Sequence, residues 1–455
     1  MTLLELNSGD TAWILISAAL VLLMTPGLAF FYGGMVRAKG VLNMMMMSFI
    51  SMGVIGVMWV LFGYSMAFGN SVGGAGIIGN PFEFAGLESL LTNDPEASYP
   101  ALAFVAFQAC FAIITVALVS GAIADRASFG GWTLFAVLWG TLVYFPAAHW
   151  VFAFSNPDTG VVGGWIANQI EAIDFAGGTA IHINAGTAAL ALALVVGPRI
   201  GFGTKPMRPH NMTLVMLGAA LLWFGWFGFN AGSAAAANGL ASLAWVNTLA
   251  ATAAAMLGWL IVEKLRDGHP TSLGAASGIV AGLVGITPAA GSVSPIGALI
   301  LGLVAGVACA YAVGLKFKFG FDDSLDVVGV HLVGGLVGTL LIGFLADPAT
   351  SGDPTDPAVA GLFYGGGFDQ LWRQAVGAFA VMAFSFVMSY LIALLVKHTV
   401  GWRVSTSDEL GGIDLAEHSE AGYDLSPVYY SSRVGHTLVL TKDDFPENDK
   451  TGAMK

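Results

Sequence analysis

Charged residues are scarce in this 455-residue chain, in which Asp, Glu, Lys and Arg together make up 10%. A soluble globular domain carries about 25% charged residues, so the composition excludes an ordinary soluble protein. The 17 Lys and Arg residues form no basic patch, and no nucleic-acid partner is expected. The only two cysteines, Cys110 and Cys309, lie in apolar segments, which excludes a disulfide framework. No motif indicates a metal or a cofactor.

Apolar sequence fills the chain instead. Hydrophobic residues make up 56% and are spread over the whole length. A helix needs about 20 mainly apolar residues to cross a hydrocarbon core of about 30 Å. The first apolar run is long enough to cross and no basic residue precedes it, so we interpret it as a span and not as a cleaved signal peptide. We predict a transmembrane domain at 1–397, a polar tail at 398–455, and eleven spans at 11–33, 41–69, 101–124, 129–152, 178–197, 211–231, 242–262, 274–289, 294–315, 327–346 and 372–397.

The positive charges fall on alternate loops, which predicts the orientation of the chain. Cytoplasmic loops carry an excess of Lys and Arg. The opposite loops are acidic or neutral, with Arg373 as the exception. We therefore expect a multi-pass protein of the cell membrane with its N-terminus outside and its tail in the cytoplasm. The basic residues on the predicted cytoplasmic side are Arg37, Lys39, Arg126, Arg199, Lys205, Arg208, Lys264, Arg266, Lys316, Lys318, Lys397 and Arg403.

Two Asp–His pairs with the same spacing indicate an internal repeat. Asp174 precedes His182 by eight residues at the fifth span, and Asp323 precedes His331 by eight residues at the tenth. Five spans per half give the two halves opposite topologies, as in inverted-repeat transporters. Eight helical residues rise about 12 Å, so each histidine should lie about that far from its own face. We predict that the two imidazoles meet near the midplane.

A structural interpretation exists for each of these residues. An imidazole can simply bond a neighbouring hydroxyl or carbonyl inside the bundle, although two at matched depth favour a functional pair, because intramembrane ionisable groups are costly. His149 has no mirror partner and is interpreted as structural or vestibular. Asp174 stands where a carboxylate caps a helix, and the same interpretation applies to Asp323 and Asp326.

Five local strings can now be compared with known families. They are PGLAFFYGGMVRAKGVLN, FQACFAIITVALVSGAIADR, DFAGGTAIHINAGTAALALALVVGPR, WFGWFGFNAGSA and DVVGVHLVGG. They resemble, in the same order, the signature segments of ammonium transporters of the Amt/Mep/Rh family, of the bacterial or archaeal Amt type. The resemblance implies an all-α bundle of eleven helices with a pseudo-twofold axis between helices 1–5 and 6–10. It also implies a homotrimer in the lipid bilayer with one pore per subunit, and ammonium, ammonia and methylammonium as substrates.

The resemblance also implies roles for particular residues. Phe107 and Phe229 resemble the stacked phenylalanine gate, and His182 and His331 resemble the twin pore histidines. Residues near the outer cation site are matched by Trp226, Ser233 and Phe152, with Asp174 as the acidic residue beneath. Many members have tryptophan at the position of Phe152, and indole offers the best cation–π surface. We therefore expect that ammonium is recruited more weakly at this outer site, or that Trp150 supplies the indole ring in place of Phe152.

These residue types suit ammonium. Potassium has a similar size and the same charge, but only ammonium has N–H donors and a proton to release. Aromatic faces and the Ser233 hydroxyl can use cation–π attraction and directed hydrogen bonds. An apolar pore should stop an unpaired cation. The hypothesis is that ammonium deprotonates near the gate, ammonia crosses past the histidines, and the proton moves separately. The alternative is that the protein is a passive ammonia channel, and the sequence does not decide between the two mechanisms.

The start of the tail resembles the family's C-terminal region, which packs on the cytoplasmic face, couples subunits and lies where PII-type signalling proteins dock. An ordinary solvated tail is the alternative. Residues 428–455 match nothing that can be interpreted. The matched tail positions are Arg403, Asp414, Glu417, His418 and Tyr423.

Other classes fit less well. An ammonium sensor with little transport is possible because Phe152 departs from the usual cage. An intramembrane protease is disfavoured because this chain contains no H-E-x-x-H motif. Its Asp–His pairs also repeat at equal spacing instead of clustering into one catalytic site. A retinal-type pump needs a lysine near the centre of a late span, whereas Lys397 lies at a span's end. No enzymatic activity is expected.

Overall fold

The computed structural model describes residues 6–92, 97–352, 355 and 358–423. Within them, eleven helices are long and apolar enough to cross a membrane, which confirms the predicted number. We call the face where α1 begins the amino face and the opposite one the carboxy face. The helices are α1 (Ser8–Met35), α2 (Ala38–Phe68), α3 (Ala101–Ile123), α4 (Phe129–Phe152), α5 (Gly178–Val196), α6 (Met212–Gly232), α7 (Gly239–Asp267), α8 (Ser272–Ala289), α9 (Pro295–Phe319), α10 (Val328–Leu345) and α11 (Asp369–Thr399).

Side-chain caps set where several of these helices begin. Asn211 accepts a hydrogen bond from the Leu214 N–H at 3.1 Å at the start of α6, and Thr271 accepts one from the Gly274 N–H at 2.8 Å at the start of α8. Asn, Ser and Thr oxygens satisfy amide groups that have no partner in the first helical turn. Short polar residues between apolar runs therefore fix the ends of the spans.

The inverted repeat is visible in matched contacts. In the first half, the Asn43 amide on α2 donates to the Ala127 carbonyl at 3.3 Å, just before α4. In the second half, the Asn247 amide on α7 donates to the Val293 carbonyl at 2.7 Å, just before α9. Helices α5 and α10 each begin with a wide π-helical turn, Gly178–Ile183 and Val328–Leu332. The two halves thus repeat one local architecture with opposite direction.

Glycines bring α5 and α10 together at the centre of the bundle. A Cβ atom on Gly186 of α5 would lie 2.3 Å from the Leu332 backbone nitrogen, and one on Gly335 of α10 would lie 3.2 Å from the His182 Cβ. Small residues let membrane helices approach at backbone distance. This approach places the residues next to both histidines at the contact between the repeats.

The first part of the tail packs against the carboxy face. Two short helices, α12 (Thr406–Gly411) and α13 (Ile413–His418), follow α11. The buried Asp414 carboxylate accepts from the Leu42 and Asn43 N–H groups at 3.0 and 2.8 Å. The compact unit therefore extends through Gly422, beyond the end of α11. Residues 428–455, which match nothing that can be interpreted, lie outside the described residues.

Candidate functional site

Two cavities meet at a pair of stacked aromatic rings. The first, which we call the Ser233 cavity, lies towards the amino face and has a volume of about 580 Å³. The second, the histidine cavity, lies deeper and has a volume of about 10 Å³, roughly the space that a single water molecule requires. Residues that line the Ser233 cavity include Tyr99, Phe107, Gln108, Phe111, Phe152, Asp174 and Ser233. Residues that line the histidine cavity include Tyr32, Leu118, His182, Trp226, Phe229 and His331.

The stacked pair consists of Phe111 on α3 and Phe229 on α6. Their ring centroids lie 4.2 Å apart with an interplanar angle of 19°. Phe107 packs edge-on against Phe111 at 4.7 Å. The prediction that Phe107 stacks on Phe229 was therefore wrong: the stacking partner is one helical turn further along α3, at position i+4. Because Phe111 lines one cavity and Phe229 the other, this pair separates them.

His182 and His331 lie in contact, as their spacing predicted. Their Nδ1 atoms are 3.2 Å apart, and the rings are nearly parallel with centroids 5.3 Å apart. His182 is 1% exposed and His331 is 3% exposed. Each side chain projects from the π-helical turn that opens its helix. The repeat of Asp–His spacing thus produces one pair at the centre of the bundle.

The Nδ1–Nδ1 contact constrains where the protons are. One Nδ1 must donate and the other must accept, and a neutral imidazole carries one N–H. The donor ring then has a bare Nε2, whereas the acceptor ring has an Nε2–H. His182 Nε2 has no hydrogen-bond partner among the described atoms. A proton moving along the pair reverses both roles, so the geometry suits proton sharing.

Trp226 lines the histidine cavity and not the outer one. Its ring stacks on His182 at 5.5 Å and 20°, and its Nε1–H donates to the Thr287 hydroxyl on α8 at 2.8 Å. The prediction that Trp226 lies near the outer cation site was wrong. The residue sits about two turns below Ser233 on α6, which directs it past the phenylalanine pair towards the histidines.

Ser233 presents an acceptor to the outer cavity. Its hydroxyl donates to the Phe229 carbonyl at 2.8 Å. A hydroxyl has one donor and two acceptor lone pairs, so the oxygen keeps its lone pairs for another donor. An N–H group entering the Ser233 cavity therefore finds an acceptor already oriented by the end of α6.

Asp174 has the capping geometry that its position predicted. One carboxylate oxygen accepts from the Gly177 and Gly178 N–H groups at 2.8 and 2.6 Å. The other accepts from the Thr179 N–H at 2.8 Å, from the Thr179 hydroxyl, and from the Ala180 N–H at 3.3 Å. Burial raises the pKa of Asp174, and these hydrogen bonds act in the opposite direction. The carboxylate holds the start of α5 while it lines the cavity floor.

The aromatic residues near the outer cavity differ in what they contact. Phe152 lines the Ser233 cavity. Trp150 is buried, packs against Trp165 and Phe384, and donates its Nε1–H to the Ile77 carbonyl at 2.7 Å. Trp150 is committed to that packing and is not among the residues that line the cavity. His149 is fully buried, and its Nδ1 lies 3.0 Å from the Ala67 carbonyl, in keeping with a structural role.

The predicted regulatory residues differ in their surroundings. Arg403 donates to the Pro198 carbonyl at 2.7 Å and pairs with Glu409 at 2.5 Å. Asp414 holds the start of α2, as described above. Tyr423 is the last described residue and falls in a second unit of the chain, Tyr423–Lys455.

Sequence reasoning missed Phe111, Gln108 and Thr287. Phe111 follows Phe107 at i+4, a spacing that places both on one helix face, and this signal could have identified it. Gln108 is 8% exposed at the edge of the cavity. Thr287 lies on another helix from its partner Trp226, and nothing in the local sequence connects the two.

Together these features define a multi-pass membrane protein with a narrow aromatic and apolar passage that contains a histidine pair. The profile described as Ammonium Transporter Family matches residues 12–423. The chain belongs to this family, and membership supports ammonium transport.

The relatives agree with this assignment. An ammonium transporter of Mycobacterium tuberculosis is 61% identical over 440 residues, which cover 92% of this chain and 91% of the relative. One of Bacillus subtilis is 44% identical over 423 residues, covering 92% and 99%. The solved structure of Saccharomyces cerevisiae Mep2 matches with a TM-score of 0.82 and 34% identity over 93% of each chain. The two bacterial relatives are named as transporters and not as enzymes.

Proposed function

We propose that this protein carries ammonium across the cell membrane by binding it in the Ser233 cavity and removing a proton at the Phe111–Phe229 pair. Ammonia then crosses the histidine cavity while the proton moves separately. The observation that most supports this mechanism is the 3.2 Å contact between two buried imidazoles in a cavity of about 10 Å³. Both features support a proton carrier in a passage too narrow for a hydrated ion.

Selection would occur in the outer cavity. Ammonium would donate an N–H to the Ser233 oxygen and place its charge against the faces of Phe107 and Phe152, where each cation–π contact contributes about 0.5–2 kcal/mol. Potassium has no N–H to donate. It would lose water molecules that these groups replace poorly, so the cavity favours ammonium.

Beyond Phe229 the passage favours the neutral molecule. Its lining is mainly apolar, with Leu28, Ile114, Leu118 and Leu222 among its walls. An unpaired cation in such surroundings costs far more than a neutral molecule. Ammonia has the size of water and fits the available volume. Proton release before this point would therefore lower the barrier to passage.

The wider setting is also proposed. The excess of Lys and Arg in the loops of the carboxy face supports a cytoplasmic location for that face, with the N-terminus outside. We infer a homotrimer in the lipid bilayer with one pore per subunit. The tail helices α12 and α13 lie on the carboxy face, where a PII-type signalling protein could dock.

The central test replaces both histidines. Purified His182→Leu/His331→Leu protein in liposomes should keep its fold but lose ammonium-driven current and ammonium-over-potassium discrimination. A His269→Ala/His398→Ala variant is the matched control, since both residues are exposed on the surface. Current and ammonia flux are measured on the same vesicles. An unchanged current and selectivity in the pore variant would refute the relay, and silence with intact flux in the wild type would indicate a passive ammonia channel.

A second candidate function is an ammonium sensor with little transport. Phe152 in the outer cavity supports it, and so does the likeness to a solved structure titled "Sensor Amt Protein", with a TM-score of 0.80 and 27% identity. Methylammonium uptake in transport-deficient cells separates the candidates. A transporter restores uptake, whereas a sensor binds without restoring it.

A further inference from the structure

Asp323 is a buried carboxylate that is only half satisfied. It lies before α10 and is 1% exposed. Its Oδ2 accepts from the Val328 N–H at 2.7 Å, while Oδ1 has no hydrogen-bond partner among the described atoms. Buried polar atoms are nearly always paired, because an unpaired one carries its full desolvation cost. The unpaired oxygen indicates that this carboxylate can bind an exchangeable partner, such as a proton or a water molecule.

Asp323 lies between two cavities. Tyr32 of α1 lines the histidine cavity, and Met35, one turn further, lines a third cavity of about 380 Å³ at the carboxy face. Ser324 and Leu325, which follow Asp323, line that third cavity as well. A Cβ atom on Gly121 would meet both the Tyr32 ring and Val327, at 2.6 and 2.8 Å. The Tyr32 ring therefore packs beside the segment that carries Asp323.

Charged groups from three elements face this carboxylate. Lys316 of α9 donates to the Asp323 carbonyl at 2.9 Å and pairs with Asp326 at 2.7 Å. Arg126 and Asp326 also act on Asp323 electrostatically, and the Tyr32 hydroxyl donates to the Leu118 carbonyl. Burial raises the pKa of Asp323 to about 6, with Asp326 adding to the rise and Lys316 opposing it. The group can thus exchange a proton near neutral pH.

We propose that Asp323 receives the proton that leaves the histidine pair and passes it to water in the carboxy-face cavity. This inference rests on the proposed function. The N–H bond of His331 breaks and its electron pair stays on nitrogen. No hydrogen bond joins Asp323 to His331 among the described atoms, so the Tyr32 hydroxyl and intervening water carry the proton across. An O–H bond forms on Asp323, then breaks to water, and the carboxylate is restored.

The test measures current and ammonia flux in proteoliposomes while the pH at the carboxy face is varied. Wild-type current should fall as that pH drops through about 6, because a protonated Asp323 cannot accept. Asp323→Asn keeps an acceptor for the Val328 N–H and should lose current about tenfold while ammonia flux stays within about twofold. Asp323→Glu should restore most of the current.

Asp326→Asn is the matched control. Asp326 has a φ of +64°, which asparagine tolerates, and it pairs with Lys316 at the wall of the carboxy-face cavity, past the point where Asp323 would release its proton. The control should keep its current but shift the pH profile downward, because a neighbouring negative charge is removed. Unchanged current in Asp323→Asn, or an equal loss of current and flux that Glu does not rescue, would overturn the inference while leaving the proposed function standing. A wild type without current would overturn both.

Discussion

The segments that precede α5 and α10 occupy mirrored positions but are held by different chemistry. Before α5, neutral amides hold the chain: the Gln374 side chain accepts from the Ile173 N–H at 2.6 Å and donates to the Ile173 carbonyl at 2.7 Å. Before α10, a fully buried cation holds it: Arg126 donates to the Asp322 carbonyl at 2.7 Å and to the Ser324 hydroxyl at 2.5 Å. The two halves share the backbone path at these segments, but different side chains hold that path in place.

The carboxylates of the two segments differ in the same way. Asp174 accepts five hydrogen bonds through both oxygens, whereas the described part of the chain gives the Asp323 side chain one, at Oδ2, and no partner for Oδ1. Helix N-termini stabilise negative charge at both sites. At the amino face that charge is fixed in place, beside the cavity where a cation would bind. At the carboxy face one carboxylate oxygen is unpaired among the described atoms, which suits the proposed proton exchange. One sequence spacing thus provides two electrostatic environments.

Arg126→Met should give the largest effect and tests the difference in support. The substitution leaves the carbonyls of Gly197 and Asp322 without their donor, whereas the Ala122 and Ala124 carbonyls keep a hydrogen bond from Ser324. Each unpaired buried group costs about 1–3 kcal/mol, so we expect a loss of about 3–5 kcal/mol, typical of removing a buried charge. The free energy of unfolding is measured by denaturant titration in detergent micelles.

Gln374→Met is the counterpart at the amino face. It removes neutral hydrogen bonds with Ile173, Thr339 and Gln370 but leaves no charge unpaired, so the expected loss is smaller, about 2 kcal/mol. Equal losses in the two variants would show that the charged and neutral supports are energetically equivalent, and the contrast between the faces would fail.

The pH dependence of stability should come next in size. The pKa of Asp323 is raised to about 6 in the folded protein, against about 3.9 in an unfolded chain. Its protonated form is therefore favoured by folding: this stabilisation is fully present below about pH 4 and is lost as the pH rises through about 6. A displacement of about two pH units corresponds to at most about 3 kcal/mol. Unfolding of the wild type and Asp323→Asn at pH 4 and pH 7.5 should show this loss only in the wild type, and parallel curves would contradict it.

The same substitution at the two mirrored aspartates should have unequal effects at pH 7.5. Asp174→Asn removes an oxygen that accepts from Thr179 and Ala180, so we expect a loss of about 2 kcal/mol. Asp323→Asn loses no essential acceptor and removes a buried charge that costs the wild type up to about 3 kcal/mol at this pH, so we expect no loss of stability and a gain of up to that size. Thermal unfolding midpoints in micelles compare the pair. A larger loss at Asp323 would reverse the assignment of the fixed and the free carboxylate.

Much of the fold could be predicted because each membrane span requires a long apolar run, which is visible in the sequence. Apolar length identified all eleven spans, although α7 and α11 extend several residues beyond the predicted ends, where polar residues continue the helix outside an apolar core. The equal Asp–His spacing predicted the imidazole contact, since two antiparallel helices of the same rise must meet near the middle.

The rest depended on side-chain direction and on partners distant in sequence. Phe107 and Phe111 share one face of α3, and only packing against α6 decides which ring stacks on Phe229. Trp226 is turned towards the histidines by its hydrogen bond to Thr287. The Gln374 clamp joins residues about two hundred positions apart. Local sequence carries no signal for these contacts.

The smallest expected effect concerns the tail at the carboxy face. Asp414 is 2% exposed, and its carboxylate accepts from the Leu42 and Asn43 N–H groups near the start of α2, where no neighbouring side chain caps the helix. Asp414→Ala should cost about 1 kcal/mol and raise amide hydrogen exchange in residues 413–418, because these two hydrogen bonds anchor α13. Asp408→Ala is the control, since the Asp408 carboxylate accepts from the exposed Ser405 hydroxyl just before its own helix and not from α2. If both variants exchange alike, the anchor lies elsewhere in the tail, for example in the Arg403–Glu409 ion pair.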